Sequence, residues 1–209
     1  MASFPQQDAG CVRACPECIG DVIVPDDNSG QGHPLPLPLT AERLILRRLG
    51  PGDWKELMAC FPENEEEYVI QWLESDSHVR LTTQGQPFYL GVELRESGTL
   101  IGYLSLTFTD AERLQAQLGF KFNPDFPAME FLAEALDALA GFCFEGIKLH
   151  RIASKCSRAD DAGCQAHETV GFRREGEFLK DTRTEAGWES SVWYGLLEEE
   201  YLLRPPASS

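Results

Sequence analysis

From Leu39 onward the apolar positions recur at intervals of two in some stretches and of three or four in others, and each change of period marks an element. Leu44-Ile45-Leu46-Arg47 reads as a short strand. Gly50-Pro51-Gly52-Asp53 breaks it, and Asp53 is placed to cap a helix running toward Phe61. A second helix is expected from about Glu65 to Glu74, with Tyr68, Trp72 and Leu73 on one face. Phe88 to Leu94 and Leu100 to Leu106 read as strands, and Glu96-Ser97-Gly98 between them has the composition of a hairpin turn. Ala116 to Phe122 makes a further strand. The clearest helix runs from Met129 to Gly146, where Phe131, Ala135, Leu139 and Phe142 or Cys143 form a stripe that Leu132 and Leu136 widen. A strand from Arg151 to Lys155 follows, then a helix from about Asp161 to Val170 stopped at Gly171. Strands from Phe172 to Leu179 and from Ser191 to Leu197 end the series. An antiparallel meander followed by an alternating unit predicts an α/β (α+β) fold. Its sheet should be mixed, mostly antiparallel and twisted, with helices on both faces.

Residues 1–38 have no such period. They are rich in Pro, Gly, Asp, Asn and Ser, and His33 to Leu39 read HPLPLPL, an extended run that no helix or central strand accommodates. The expected organisation is a flexible tail over 1–38, a domain over 39–201 and a short C-terminal tail over 202–209. Cys11, Cys15 and Cys18, with His33, are zinc-ligating residue types. The second half of a two-plus-two knuckle is missing, so no metal is expected.

Composition narrows the function. With 209 residues, 43% of them hydrophobic, the chain can bury one core of ordinary size. No apolar run reaches the length of a bilayer span, and the opening MASFPQQDAG lacks the basic cluster and apolar core of a secretory signal. Seven cysteines, an odd number without an export signal, read as thiols of a reducing, cytoplasmic protein. The net charge of −16 disfavours nucleic acid and anionic lipid and favours cationic partners, such as amines or basic peptide ends. Oligomeric state is not legible.

Five segments occur in a telling order: LTAERLILRRLGPGDW, TLIGYLSL, AQLGFKFNPDF, EALDALAGFCFEGIKLHRI and VGFRREGEF. Over about residues 39–201 the chain resembles the GNAT acetyltransferases, in particular the RimJ/RimL type, which acetylates protein N-termini or small amines. The resemblance implies acetyl-CoA as co-substrate, held in a cleft where two neighbouring strands splay apart. The strand before the long helix, here Leu118, Gly119, Phe120, Lys121 and Phe122, would supply backbone groups to the pantetheine arm. The loop opening that helix usually reads Q/R-x-x-G-x-G/A, because backbone N–H groups at a helix start bind pyrophosphate and glycine lets them come close.

Here that place holds Pro127, Ala128, Met129, Glu130, Phe131 and Leu132, without a glycine. Proline removes a donor. A Glu130 carboxylate about 5 Å from a phosphate charge would cost roughly 3 kcal/mol at an effective dielectric of about 20. That is about two decades of affinity. Pro127 and Glu130 equally suit the start of a stable helix. Acetyl-CoA binding is therefore expected to be weak. The family's Asn and Ser ahead of the final Leu-Gly-Phe correspond to Asp160 and Gly163. Its frequent Tyr, the general acid toward the leaving thiolate, corresponds to His167, and imidazole can also carry that proton. Glu93 is a candidate base for the amine, with another carboxylate or water as alternatives. His150 reads as structural, and Cys164 as a nucleophile type without a legible base. Trp188, Trp193 and Tyr194 read as sheet packing. Two functions follow: an N-acetyltransferase acting on a primary amine of a small molecule or a protein N-terminus, or a GNAT-fold binding module that has lost the reaction.

Overall fold

The computed structural model describes residues 22–25, 32–35, 37–61, 66–76, 85–112, 114–126, 128–184 and 187–204. Within the segment read as a tail, β1 (Val22–Pro25) and β2 (Gly32–Leu35) pair antiparallel with each other. Proline is tolerated in such an isolated ribbon because it need not donate to a central ladder. Cys11, Cys15 and Cys18 lie outside the described residues.

The remaining strands form one sheet: β3 (Leu39–Thr40), β4 (Leu44–Arg48), β5 (Phe88–Leu94), β6 (Leu100–Phe108), β7 (Gln115–Phe122), β8 (Arg151–Ser157), β9 (Arg173–Thr184) and β10 (Gly187–Leu197). Their order is β3-β4-β5-β6-β7-β8-β10-β9. Neighbours pair antiparallel except β7 and β8, which run parallel. The mixed, mostly antiparallel sheet expected from the sequence is the observed one.

Alternation along the strands sends one set of side chains to each face. Leu104, Leu106, Phe108, Ala116, Leu118, Ile152, Val192, Tyr194 and Leu196 are buried in one core. The helix α3 (Ala128–Gly141) lays Leu132, Ala135, Leu136, Leu139 and Ala140 into that core, and each large aliphatic side chain there contributes about 1.5–3 kcal/mol. A π turn, Phe142–Gly146, continues α3, so the helical run ends where the periodicity placed its end. The helix α4 (Asp161–Val170) closes at Gly171, whose φ of 96° is a left-handed cap that glycine takes without strain.

A second cluster contains Leu49, Leu57, Cys60, Val69, Leu73 and Leu100 and lies under α1 (Trp54–Leu57) and α2 (Glu66–Asp76). Phe61, Trp72, Tyr89 and Tyr103 pack their rings around it. Two local expectations change here. Tyr68 is 60% exposed, and Val69 takes its expected place beside Leu73. Asp53 precedes α1 but makes no side-chain cap bond to it. Its carboxylate accepts from the Gly50 amide at 2.7 Å and from Arg47, because a short 3-10 turn, Pro51–Asp53, intervenes and faces it back toward β4. A last short helix, α5 (Glu198–Leu202), follows β10.

Candidate active site between the parallel strands

Among the described residues one strand pair, β7 with β8, runs parallel, and it is short. Its register runs from Gln115 opposite Arg151 to Leu118 opposite Ser154 and stops there. Both strands continue, but with other partners. β7 stays paired to β6 as far as Phe122 opposite Gly102, and β8 stays paired to β10 as far as Ser157 opposite Ser191. Beyond Leu118 and Ser154 the two strands therefore part, each held from behind by its outer neighbour. The chain between them forms α3, the crossover that a parallel pair requires. The result is a fan with its apex at Leu118 and Ser154, and Gly119 and Phe120 begin its β7 arm.

His167 occupies the apex. It lies on α4, is 0% exposed, and its ring stacks on Tyr194 with centroids 4.8 Å apart and planes 16° apart. Phe120 and Phe172 contact the ring from other directions. Nδ1 is 2.7 Å from the Gly163 carbonyl oxygen, and Nε2 is 2.8 Å from Ser154 Oγ. A carbonyl only accepts, so Nδ1 carries the proton and Nε2 of the neutral ring accepts from the Ser154 hydroxyl. Ser154 Oγ also stands 3.4 Å from the Leu118 carbonyl oxygen. Burial lowers the pKa of His167 below the ordinary histidine value. The Gly163 carbonyl, Asp160 and Glu168 oppose that shift in part.

The other residues expected on the α4 side have local duties. The Asp160 carboxylate accepts from the Gly163 amide at 2.9 Å and so caps α4. Gly163 is buried and gives its carbonyl to His167. Cys164, on the next residue, brings Sγ to 3.2 Å from Sγ of Cys156 on β8. Cys156 is buried, and that burial pushes its thiol pKa well up. Tyr194 donates from its hydroxyl to Glu168 at 3.2 Å.

On the α3 side, Pro127 lies outside the described residues, and Ala128 is the first residue of α3. Leu132 is buried in the core, whereas Met129 and Phe131 are half-buried. The side chain of Glu130 is 59% exposed and accepts from Arg43 Nη1 at 3.0 Å. Arg43 also donates from Nε to Glu134 at 2.7 Å and sits 4.8 Å over the ring of Phe131. Glu134 further accepts from the backbone amides of Arg43 and Leu44. These contacts raise the pKa of Arg43, the hydrogen bond it donates to Glu134 most. Glu130 thus belongs to an ionic clasp between the start of α3 and the start of β4.

Glu93 lies on β5, two strands from β7. Its carboxylate accepts from Arg47 Nε at 2.6 Å, and Arg47 also grips Asp53 with both terminal nitrogens, at 2.8 and 2.9 Å. This ion pair engages Glu93 with the β4 side of its strand. Lys121 reaches 4.3 Å over the ring of Phe61, on the face carrying the second cluster. Of the expected site residues, the fold gathers Leu118, Gly119, Phe120, Asp160, Gly163 and His167 around one apex and leaves Glu93 elsewhere. Ser154 and Cys156 complete the group and were not anticipated. Their signal was faint: on β8 they alternate with Ile152 on the core face, two small polar residues in an otherwise apolar row.

The acetyltransferase (GNAT) domain model matches residues 43–173, the stretch that holds the fan and both helices beside it. The chain belongs to the GNAT acetyltransferase family. As a GNAT protein it is a transferase, and relatives named N-acetyltransferases match it along most of the domain. The uncharacterized N-acetyltransferase YnaD of Bacillus subtilis (strain 168) is 25% identical over 171 residues, covering 78% of this chain and 98% of the relative. YdaF of the same organism, named provisionally as a ribosomal N-acetyltransferase, is 26% identical over 113 residues, 53% of this chain and 62% of the relative. Among solved structures, a GNAT acetyltransferase from Bacillus anthracis superposes with a TM-score of 0.64 at 25% identity, covering 78% of this chain and 99% of that one. A spermidine N-acetyltransferase SpeG chimera, from Vibrio cholerae and hSSAT, superposes with a TM-score of 0.66 at 17% identity and shares the fold. It covers 78% of this chain and 100% of that one. Among the described residues, no helix is long and apolar enough to cross a membrane.

Proposed function

We propose that this GNAT protein transfers the acetyl group of acetyl-CoA to a primary amine, carried by a small molecule or by a protein N-terminus in the RimJ/RimL manner, in the cytoplasm. The observation that carries the reading is the fan itself: a parallel pair that ends at Leu118 and Ser154 while both strands run on. Along Leu118 to Phe122 of the β7 arm, the alternate backbone groups that do not bond to β6 would bind the polar groups of a pantetheine chain laid between the arms. When bound, acetyl-CoA would supply the activated thioester. The chain's own tasks are then to hold that arm, exclude water and return a proton to the departing sulfur.

His167 is the donor in this reading. A neutral ring with its proton on Nδ1 has none to give from Nε2. Donation therefore needs either the charged ring or a shift of tautomer, in which the Ser154 hydroxyl turns to the Leu118 carbonyl and Nε2 carries the proton. Because Arg47 occupies Glu93, the amine's proton would leave through water, with Glu93 serving only if that ion pair opens. The pyrophosphate would meet Ala128 to Leu132 instead of a glycine loop. Arg43 offsets part of the charge of Glu130 there. The acceptor would be cationic: the net charge is −16, and α2 opens with Glu66 and Glu67. The names of YdaF and of the spermidine acetyltransferase point to the same two acceptor classes, a ribosomal protein and a polyamine.

Calorimetric titration with acetyl-CoA, followed by acetylation assays on polyamines and peptide N-termini, tests this reading. Weak but measurable binding is expected, strengthened when Ala128→Gly and Glu130→Gly are combined. Turnover should fall by roughly 100-fold in His167→Ala. A protein that neither binds acetyl-CoA nor acetylates any amine would instead be the binding module.

A further inference from the structure

We propose that Cys156 and Cys164 form a reversible peroxide-sensitive disulfide beside the fan. The two sulfurs stand 3.2 Å apart, one on β8 two residues past the apex and the other on α4. A disulfide bond is about 2.05 Å long, so closure needs a movement of only about 1 Å between sulfurs that already face each other. The two thiols also differ in access. Cys156 is 5% exposed, whereas Cys164 is half-buried and can be reached from outside. A half-exposed thiol that reacts first, next to a buried thiol that resolves it, is the arrangement of a redox pair.

The chemistry balances with hydrogen peroxide as the oxidant. The Cys164 thiolate attacks one peroxide oxygen and the O–O bond breaks. The departing hydroxide takes a proton and leaves as water, and Cys164 becomes a sulfenic acid. Cys156 sulfur then attacks the sulfenic sulfur. The S–O bond breaks, and the oxygen leaves as a second water with the Cys156 proton. Two thiols are oxidised and one peroxide is reduced to two waters. A dithiol reductant reverses the bridge by exchange. Burial, and then the bond to Cys164, raise the pKa of Cys156, so its thiol stays protonated and slow toward peroxide itself, and it attacks the sulfenic sulfur only as that proton is lost. The bridge would fasten the first half of α4 to the β8 arm, at the helix that carries His167. The site needs no acyl donor, so it stands apart from acetyl transfer.

Peptide mapping of the full-length protein decides the matter. Trypsin cuts after Lys155, Arg158 and Arg173, so the two cysteines fall on separate peptides. The protein is treated with hydrogen peroxide, unfolded without reductant, alkylated and digested. Expected is the joint loss of alkylated Cys156 and Cys164, with the two peptides recovered as one linked species that dithiothreitol separates. In Cys156→Ser the linked species should vanish, and Cys164 should oxidise onward to sulfinic acid. The proposal fails if both cysteines of the parent remain alkylatable. It fails equally if Cys164 reaches sulfinic acid while Cys156 stays free, or if either is linked to another cysteine.

Discussion

The two arms of the fan are built from unlike materials. On the β7 arm, Phe120 and Phe122 face the main core, and Gly119 and Lys121 alternate onto the other face. On the β8 arm, Ser154 and Cys156 project toward His167 and Cys164 of α4, with the Tyr194 ring behind them. One arm offers shape and backbone dipoles, and the other offers titratable side chains. The arms are alike only in being braced, β7 by β6 and β8 by β10. A cleft that must position a long flexible ligand and also move a proton can divide those tasks between its walls.

The brace of the β7 arm is the place to break this division most forcefully. A methyl group on Gly102 of β6 would lie 2.5 Å from the Lys121 carbonyl oxygen and 2.9 Å from Phe122 Cα, both backbone atoms with little freedom to yield. Gly102→Ala should therefore cost about 2–3 kcal/mol in chemical denaturation. An unchanged midpoint would mean that the arm is not rigidly braced. On the opposite wall, Ser154→Ala removes the hydroxyl that His167 Nε2 accepts from and strands a buried nitrogen. A loss of about 1–3 kcal/mol is expected, measured in the same way.

Acid should reveal the β8 wall more gently. The unfolded chain binds a proton at His167 near pH 6.5, whereas burial depresses the folded-state value. The unfolded state thus takes up the proton first. Stability from this group is complete above about pH 6.5 and declines as the pH falls below it, with a slope of at most about 1.4 kcal/mol per pH unit. Melting curves of the parent and of His167→Gln between neutral and mildly acidic pH should differ by that slope. If they run parallel, His167 is not buried as the neutral ring. Glu175, bonded to Arg151 and Arg173, also has a lowered pKa, but its stabilisation is lost as the pH falls from the ordinary value of 4.5 toward the lower folded-state value, in a separate window. The smallest effect is expected from Asp160→Ala, about 1 kcal/mol for a lost helix cap. A much larger loss would show that Asp160 also supports the apex.

Legibility in the sequence followed the same division. The β7 arm was readable because strand alternation from Ala116 to Phe122 and the long stripe of α3 are local patterns, and the fold kept both. On the β8 arm His167 was readable only through its spacing from Phe172. Its partners Ser154 and Cys156 come from another element, and no local period announces a bond between a helix and a strand. Charges misled for a related reason. Glu93 was read as a candidate base and Glu130 as a charge facing the phosphates, and each has an arginine on β4 or just before it, Arg47 and Arg43, that only the folded chain brings close. Tyr68 and Val69 exchanged places because a helix period fixes a face only to within one residue when the register of its first turn is unknown.

The single parallel joint also bears on how the chain assembles. β5, β6 and β7 are consecutive antiparallel partners, and β9 folds directly onto β10, which in turn pairs with β8. The β5–β6, β6–β7 and β9–β10 contacts join segments that are near in sequence and cost little loop entropy to close, whereas the β8–β10 contact closes a longer loop, from Ser157 to Ser191 and beyond, and is rewarded along the whole of β8. The joint between Leu118 and Ser154 spans 36 residues and supplies only four register pairs in return. It is the contact for which chain closure weighs most against reward, so rates of folding in this family member should be governed there. On that expectation the cleft is, in kinetic terms, the seam at which the β5–β7 and β8–β10 portions of the sheet are joined.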